Sequence, residues 1–567
     1  MSDVAIEFDV AASMRDGVRL RADVYRPSTG GPWPVLLTRL PYGKSTPMVI
    51  GGLNPVGIAK SGFIVVVQDV RGRFASEGEW EPFTSEMDDG FDTIQWAAKL
   101  PGSNGSVGMF GSSYFGNTQW MAALAKPPEL KAISPKITWS DPAEGFVSRG
   151  GAAELGLGMS WSLMMGIDTL LRRHADDPMA KGRSLMALIG DLDAVTATAY
   201  WELPDGHYPV YGRHNIQELS LERAQLEPDW GEVCRPAGRQ AEVDLPSLHT
   251  GGWYDIFCQG TLDNFVAMRA TGREANLIIG PWSHTGTTGY LGDVNFGLAA
   301  SADLMGFRGR LADIELGWFR RILGPDAGEA SPSPKLPPVL LYVMGTNEWR
   351  EESEWPLARA VDTDLFLRAG ERLAFDAPAA DEGTDTFVYD PEDPVPTTGG
   401  AVFMSSAFPP GPIDQTQVES RSDVMVYTTD TLADDLEVTG RIRAHLVVAT
   451  DAPSTDWVVR LCDVDVDGVS RNVADGILRA AATAGEYSEQ VVDLWSTSYV
   501  FRADHRIRVQ VTSSSFPRWD RNRNTGEPIG QATWSQVARQ EVAHAAARPS
   551  RIVLPVVPNA APTPGPT

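Results

Sequence analysis

Three residues whose chemistry fits together stand where strand-like runs of this chain end: Ser113 in "GMFGSSYFGN", Asp255 in "HTGGWYDIF" and His284 in "IIGPWSHTG". A serine hydroxyl becomes a nucleophile when an imidazole takes its proton, and the imidazole needs a carboxylate to fix its tautomer. The run "SVGMF" before the serine reads as a strand and "NTQWMAALAK" after it as a helix, with Gly111 two residues ahead so that the turn between them can be tight. A small residue two positions after the serine would complete such an elbow. Phe115 stands there instead, and glycine comes one later, as Gly116. A G-x-S triplet also occurs in plain turns, so the serine has to find partners.

The chain has eight histidines, few enough to screen. His174, His207 and His214 fall in an insertion, His445 and His505 in a β-rich region, His544 in what reads as a late polar helix, and His249 inside a buried strand. Only His284 follows the C-terminal end of a core strand, where a loop could carry it over the sheet. Asp255 lies at the end of the preceding strand, which gives the chain order Ser, Asp, His of α/β-hydrolases. Taken singly, Asp255 could cap the next helix and His284 could pack on Trp282. Together, with order and strand ends agreeing, they point to acyl transfer.

The elements that must position these residues follow from the hydrophobic pattern. Five short apolar runs, each closed by a turn signal, read as strands buried on both faces: "PVLLTRL" (34–40), "FIVVVQDV" (63–70), "SVGMF" (106–110), "LPSLHTG" (245–251) and "NLIIG" (276–280). Helical stretches such as "DDGFDTIQWAAKL" lie between them, so the core is α/β with a parallel sheet. Residues 1–140 and 241–350 form the two parts of that core. Residues 141–240 change character, first Gly- and Met-rich and then polar and helical, and read as a helical cap inserted over the C-terminal ends of the strands, where such sheets bind ligands. After the Pro/Ser/Gly-rich connector at 324–338, alternation takes over, as in "RIRVQV", so residues 351–567 are expected to form an all-β jelly roll ending in a disordered tail, "PNAAPTPGPT".

Composition removes several function classes. At 567 residues and 43% apolar content the chain can bury more than one core, while a formal charge of −26 repels phosphate backbones and anionic lipid. Nucleic acid and membrane are therefore not expected as partners. The N-terminus has neither a basic nor an apolar signal region, and no window approaches the roughly 18 apolar residues of a membrane span, so the expected location is cytoplasmic. Three widely spaced cysteines, Cys234, Cys258 and Cys462, suggest neither a disulfide framework nor a metal site. "DVDVDG" (463–468) starts like a calcium loop but has Ala474 where the bidentate glutamate belongs, so it reads as a hairpin turn. "GKS" (43–45) has Thr38 where a phosphate loop needs glycine.

The segments "MRDGVRLRADVYRP", "RLPYGK", "QDVRGRFASEGEW", "GMFGSSYFGNTQW", "GGWYDIF", "IGPWSH", "VMGTNEWRE", "YDPEDPVPTTGG" and "SSSFPRWDRNRNTG" together resemble the cocaine esterase type of α/β-hydrolase, whose relatives include X-prolyl dipeptidyl peptidases and α-amino acid ester hydrolases. The resemblance implies a Ser113, Asp255 and His284 triad, and makes the glycine at Gly116 the family's own form of the elbow. It also implies an oxyanion hole made by the backbone N–H of Tyr114 and the hydroxyl of Tyr42. The position of Tyr42, just after the strand "PVLLTRL", suits a second donor, although it could also be a plain turn residue between Pro41 and Gly43. By the same resemblance Phe257, Trp161, Phe146 and, approximately, Met404 line the acyl pocket. Trp161, Met164 and Met165 could instead pack the cap's own core. The reading is a serine carboxylic-ester hydrolase for small esters of aromatic or compact hydrophobic acids, needing neither metal nor cofactor, with a homodimer left open. Its rivals are an amide or peptide hydrolase on the same scaffold and a non-catalytic carbohydrate-binding protein.

Overall fold

Ile64–Asp69 reads IVVVQD, and all six residues are buried. β-branched side chains favour the pleated backbone, and an uninterrupted apolar run suits a strand covered on both faces. The computed structural model, which describes residues 3–203, 208–219, 231–324, 335–380, 382–528 and 531–558, shows this directly. Ile64 and Val66 enter one hydrophobic cluster, and Val65 and Val67 enter another on the opposite face. Val35 and Leu37 divide from Leu36 and Leu40 in the same way. Each such side chain contributes roughly 1.5–3 kcal/mol by leaving water.

The strand belongs to a ten-stranded sheet in the spatial order Val4–Ser13, Arg19–Pro27, Ile64–Asp69, Trp33–Leu40, Ser103–Ser112, Leu130–Lys136, Ser247–Tyr254, Ala275–Ser283, Val339–Val343 and Glu348–Glu352. The seven from Ile64–Asp69 to Val339–Val343 run parallel, and antiparallel strands close both edges. All five predicted runs are among the seven. Leu130–Lys136, "LKAISPK", is one that the apolar pattern does not show, because its polar residues are compensated inside the fold: Ser134 and Lys136 bond the two oxygens of Glu315 at 2.5 and 2.6 Å. Helices Glu86–Ala98, Tyr114–Leu124 and Cys258–Ala270 cover one face, and Leu311–Leu323 covers the other.

The segment 141–240 contains helices Leu155–Arg173, Pro178–Asp193 and Pro209–His214. Asp177 starts the second of these by accepting the amides of Met179 and Ala180 at 3.1 and 3.0 Å, ahead of a proline that needs no partner for its nitrogen. Its residues 204–207, which include His207, and 220–230 lie outside the described residues, as do 325–334 of the connector and 559–567 of the tail.

From Val361 to Val557 eleven strands form an all-β domain, paired antiparallel except for Arg372 against Thr428. Ile507, Val509 and Val511 are buried, as their alternation requires. "DVDVDG" is a turn joining Ser454–Val464 to Ser470–Ala481, in which Asp465 accepts the amides of Asp467 and Val469. Lys44 of "GKS" is buried among Asp9, Asp23 and Asp69 at 2.6, 3.4 and 3.7 Å, pinning the N-terminal hairpin to the core. One reading is corrected. His544 does not sit in a polar helix, because Ala538–Ala543 is a strand paired with Thr384–Tyr389 and Leu436–Thr450. "ARQEVA" has helix-forming residues, but partners on both sides override that local preference.

Candidate active site

The site grows from the turn after Ser103–Ser112. Ser113 has φ 59° and ψ −121°, a conformation that costs of order 1–3 kcal/mol for a residue with a side chain. Its surroundings hold it there. Its amide donates to Lys136 O at 3.0 Å, and its carbonyl accepts the Thr138 hydroxyl at 3.0 Å. Gln119, fully buried, spans the turn by donating to Gly111 O at 3.1 Å and accepting the Ser134 amide at 2.9 Å. Both glycines are required by space. A Cβ on Gly111, whose φ is 134°, would lie 2.5 Å from the Phe115 ring, and one on Gly116 would lie 2.8 Å from Thr138 Cβ. Phe115 is tolerated because its ring turns back over Gly111 and meets Tyr42 edge-on at 5.9 Å.

His284 and Asp255 complete a hydrogen-bonded chain. His284 Nε2 lies 3.1 Å from Ser113 Oγ, and Nδ1 lies 2.7 Å from Asp255 Oδ2. With Nδ1 carrying the proton, Nε2 is free to accept one from the serine. Asp255 is fully buried, and its other oxygen accepts the Phe257 amide at 2.7 Å. It therefore serves the start of helix Cys258–Ala270 and the imidazole with one carboxylate. Trp282 is not what His284 packs on; the imidazole lies 5.3 Å from the Phe257 ring and 4.9 Å from Phe403.

Two groups near the serine can donate hydrogen bonds. Tyr114 is the first helical residue after it, where the amide has no partner within the helix and the helix dipole adds positive character. Its ring stacks on Phe83 at 4.4 Å, and its hydroxyl donates to Glu86 at 2.7 Å while accepting the Phe83 amide at 3.2 Å. Glu86 in turn takes Arg39 at 2.7 Å, so the backbone at 114 is tied down from its side chain. Tyr42 comes from the loop after Trp33–Leu40. Its hydroxyl interacts with Ser113 and accepts the Trp161 indole N–H at 3.2 Å. Burial pushes this phenol up to about 12, so it keeps its proton at neutral pH.

Around these groups lies an aromatic nest. Trp139 and Phe146 stack at 4.1 Å, Phe257 meets them at 5.1 and 5.8 Å, and Trp161 packs 5.7 Å from Trp80 and 6.4 Å from Phe83. Of the expected pocket residues, Phe257, Trp161 and Phe146 come together here. Met404 does not. It packs on Gly156 and the cluster around Leu155 and Met159, and its neighbour Phe403 takes the place against His284. Sequence reasoning missed Trp139, Phe83 and Phe403, whose signal was only aromatic composition, and Glu86 and Gln119, whose partners are distant in the chain.

A parallel α/β sheet with a histidine-paired serine on a strand-to-helix turn defines an α/β-hydrolase of the serine-dependent class. Comparison with known proteins agrees. The model of the X-Pro dipeptidyl-peptidase (S15) family matches residues 16–286, and that of the X-Pro dipeptidyl-peptidase C-terminal non-catalytic domain matches 334–553. Cocaine esterase of Rhodococcus sp. (strain MB1 Bresler) is 35% identical over 98% of this chain and 99% of its own. Among solved structures, an α-amino acid ester hydrolase superposes with a TM-score of 0.79 at 25% identity, covering 98% of this chain and 97% of its own. An aminopeptidase from a marine sediment Thaumarchaeota archaeon shares the fold with a TM-score of 0.78 at 24% identity over the same shares. The chain belongs to the cocaine esterase type family of α/β-hydrolases, and it is a serine hydrolase acting on esters. No helix among the described residues is long and apolar enough to cross a membrane.

Proposed function

We propose that Ser113, His284 and Asp255 are the catalytic triad, and the single observation carrying this is their unbroken hydrogen-bonded chain. Ser113 Oγ attacks the ester carbonyl as His284 Nε2 takes its proton, and buried Asp255 stabilises the imidazolium that forms. The carbonyl oxygen, now negative, lies between the Tyr114 amide and the Tyr42 hydroxyl. Collapse of this intermediate passes the proton from His284 to the departing alcohol. Water then repeats the sequence on the acyl-enzyme and frees the acid.

The segment 141–240 acts in this reading as a helical cap, since helix Leu155–Arg173 brings Trp161 into the nest, and the all-β domain is a jelly roll that supplies Phe403. Trp139, Phe146, Trp161, Phe257 and Phe403, none of them charged, gather beside Tyr114 and His284, which suits an acyl site for aromatic or compact hydrophobic acids. An amide hydrolase acting at a free N-terminus would need a carboxylate for the ammonium. Among the described residues, the buried acids Glu86 and Asp168 beside the nest are already engaged, Glu86 by Arg39 and Tyr114, and Asp168 by Arg73 and the Phe74 amide.

Ser113→Ala tests the assignment. It should remove ester turnover by about 10⁴-fold or more while the protein stays folded, because no other group makes the acyl bond. A fluorophosphonate should label the wild-type protein at Ser113 and leave the variant unlabelled. Labelling at a different serine would end this reading, and a wild-type protein inert to both ester and probe would favour a binding protein.

A further inference from the structure

We infer that Trp161 is a positioning residue for the oxyanion site, fixing where the Tyr42 proton points; this rests on the proposed role of Tyr42. A phenol oxygen has one hydrogen to give and lone pairs to receive, whereas an indole nitrogen can only give. At the observed 3.2 Å contact, Trp161 Nε1 must be the donor and the Tyr42 oxygen the acceptor. The phenol's own hydrogen is thereby turned away from Trp161 and is left for an acceptor on its other side. In the reaction that direction holds the carbonyl oxygen. Donation into the phenol oxygen also polarises its O–H, which makes it a stronger donor to a developing negative charge.

The elements support this arrangement at a second point. Arg73, 1% exposed, donates through Nε to Pro41 O at 3.1 Å and through Nη1 to Met165 O at 3.1 Å. Pro41 precedes Tyr42, and Met165 lies one helical turn beyond Trp161. The loop carrying the phenol and the helix carrying the indole are thus clamped together both by Arg73 and by the Trp161 to Tyr42 bond. The indole is held from its other sides by Trp80, Phe83 and Tyr114 at ring distances of 5.7, 6.4 and 6.5 Å, and is 6% exposed, so water does not compete for its N–H. Trp161 therefore has a task besides forming part of the acyl wall, and the inserted segment supplies part of what stabilises the transition state.

A double-mutant cycle on the full chain separates this task from packing. Trp161→Phe keeps a ring in the nest and removes the N–H. It should lower kcat roughly 10-fold, with KM changed by less than about 3-fold, and by the same factor for aryl and for small acetyl esters. Tyr42→Phe should lower kcat by roughly 10²- to 10³-fold. In the Tyr42→Phe background, Trp161→Phe should cost almost nothing more, since the bond it removes is already gone. An equal loss from Trp161→Phe in both backgrounds, or a loss confined to KM or to aryl esters, would make Trp161 a wall residue and overturn the inference. Normal turnover in Tyr42→Phe would instead remove the oxyanion role of Tyr42, and the inference with it.

Discussion

At the scale of single residues, the site depends on protons being held by the right atoms. A phenol stabilises an oxyanion only while it keeps its hydrogen, and burial pushes Tyr42 up to about 12. Its protonated form is therefore the one present at neutral pH and well above it. Ester turnover, corrected for spontaneous hydrolysis, should hold its plateau up to about pH 10, two units below the point where half the phenol has ionised. A decline setting in near pH 8, in protein shown by circular dichroism to be folded, would contradict the upward shift that burial gives this hydroxyl. The three residues of the proton chain were legible in the sequence because order and strand ends left one histidine and one aspartate. The bond from Trp161 to Tyr42 was not legible, since it depends on how an inserted helix lies over a loop more than a hundred residues earlier.

At the scale of elements, the turn at Ser113 shows what local pattern can and cannot disclose. The sequence displayed a strand, a glycine, a serine and a helix, but only the packing explains why glycine sits at 116 while a phenylalanine is accepted at 115. Helix Tyr114–Leu124 approaches Leu130–Lys136 so closely that a Cβ at 116 would stand 2.8 Å from Thr138 Cβ and 3.0 Å from Lys136 O. Gly116→Ala should therefore push the helix from the strand and destabilise the protein by about 1–3 kcal/mol, the usual cost of overpacking. Turnover should fall further than stability, because the same helix start carries the Tyr114 amide. Urea midpoints and kcat measured together would check this, and an active variant of wild-type stability would mean that the contact relaxes freely. The strand beside this helix, Leu130–Lys136, escaped the pattern for a related reason: its Ser134 and Lys136 find their partner in Glu315, a residue from another part of the chain.

At the scale of the whole molecule, the parts that surround the site are locked together by buried charge. Arg149 of the inserted segment lies 3.7 Å over the Trp495 ring of the all-β domain and donates to the carbonyls of Asp475 and Asp493. Arg518 pairs with Asp475 at 2.8 Å, and Trp519 donates to Glu154 of the inserted segment at 2.9 Å. Phe403 and Trp161, which belong to these two joined parts of the chain, meet in one nest. Alternation predicted an all-β unit after the connector, but nothing in the sequence paired Arg149 with residues more than three hundred positions later. Arg149→Ala would leave two carbonyls without their donor and a gap beneath Trp495, while Asp475 keeps Arg518. Removing one member of a buried ionic group costs about 3–5 kcal/mol when its partners are left uncompensated. The surviving Arg518 pair places the expectation toward the lower end of that range. Arg149→Met, which refills much of the volume, should recover part of the loss but not the carbonyl bonds. Denaturation followed by tryptophan fluorescence would rank the three proteins as wild type, then Arg149→Met, then Arg149→Ala, with aryl-ester activity lost at or before each unfolding midpoint. If Arg149→Ala unfolded at the wild-type midpoint with full activity, the remaining contacts between the two parts, among them the Trp519 to Glu154 bond, would have to hold them without Arg149.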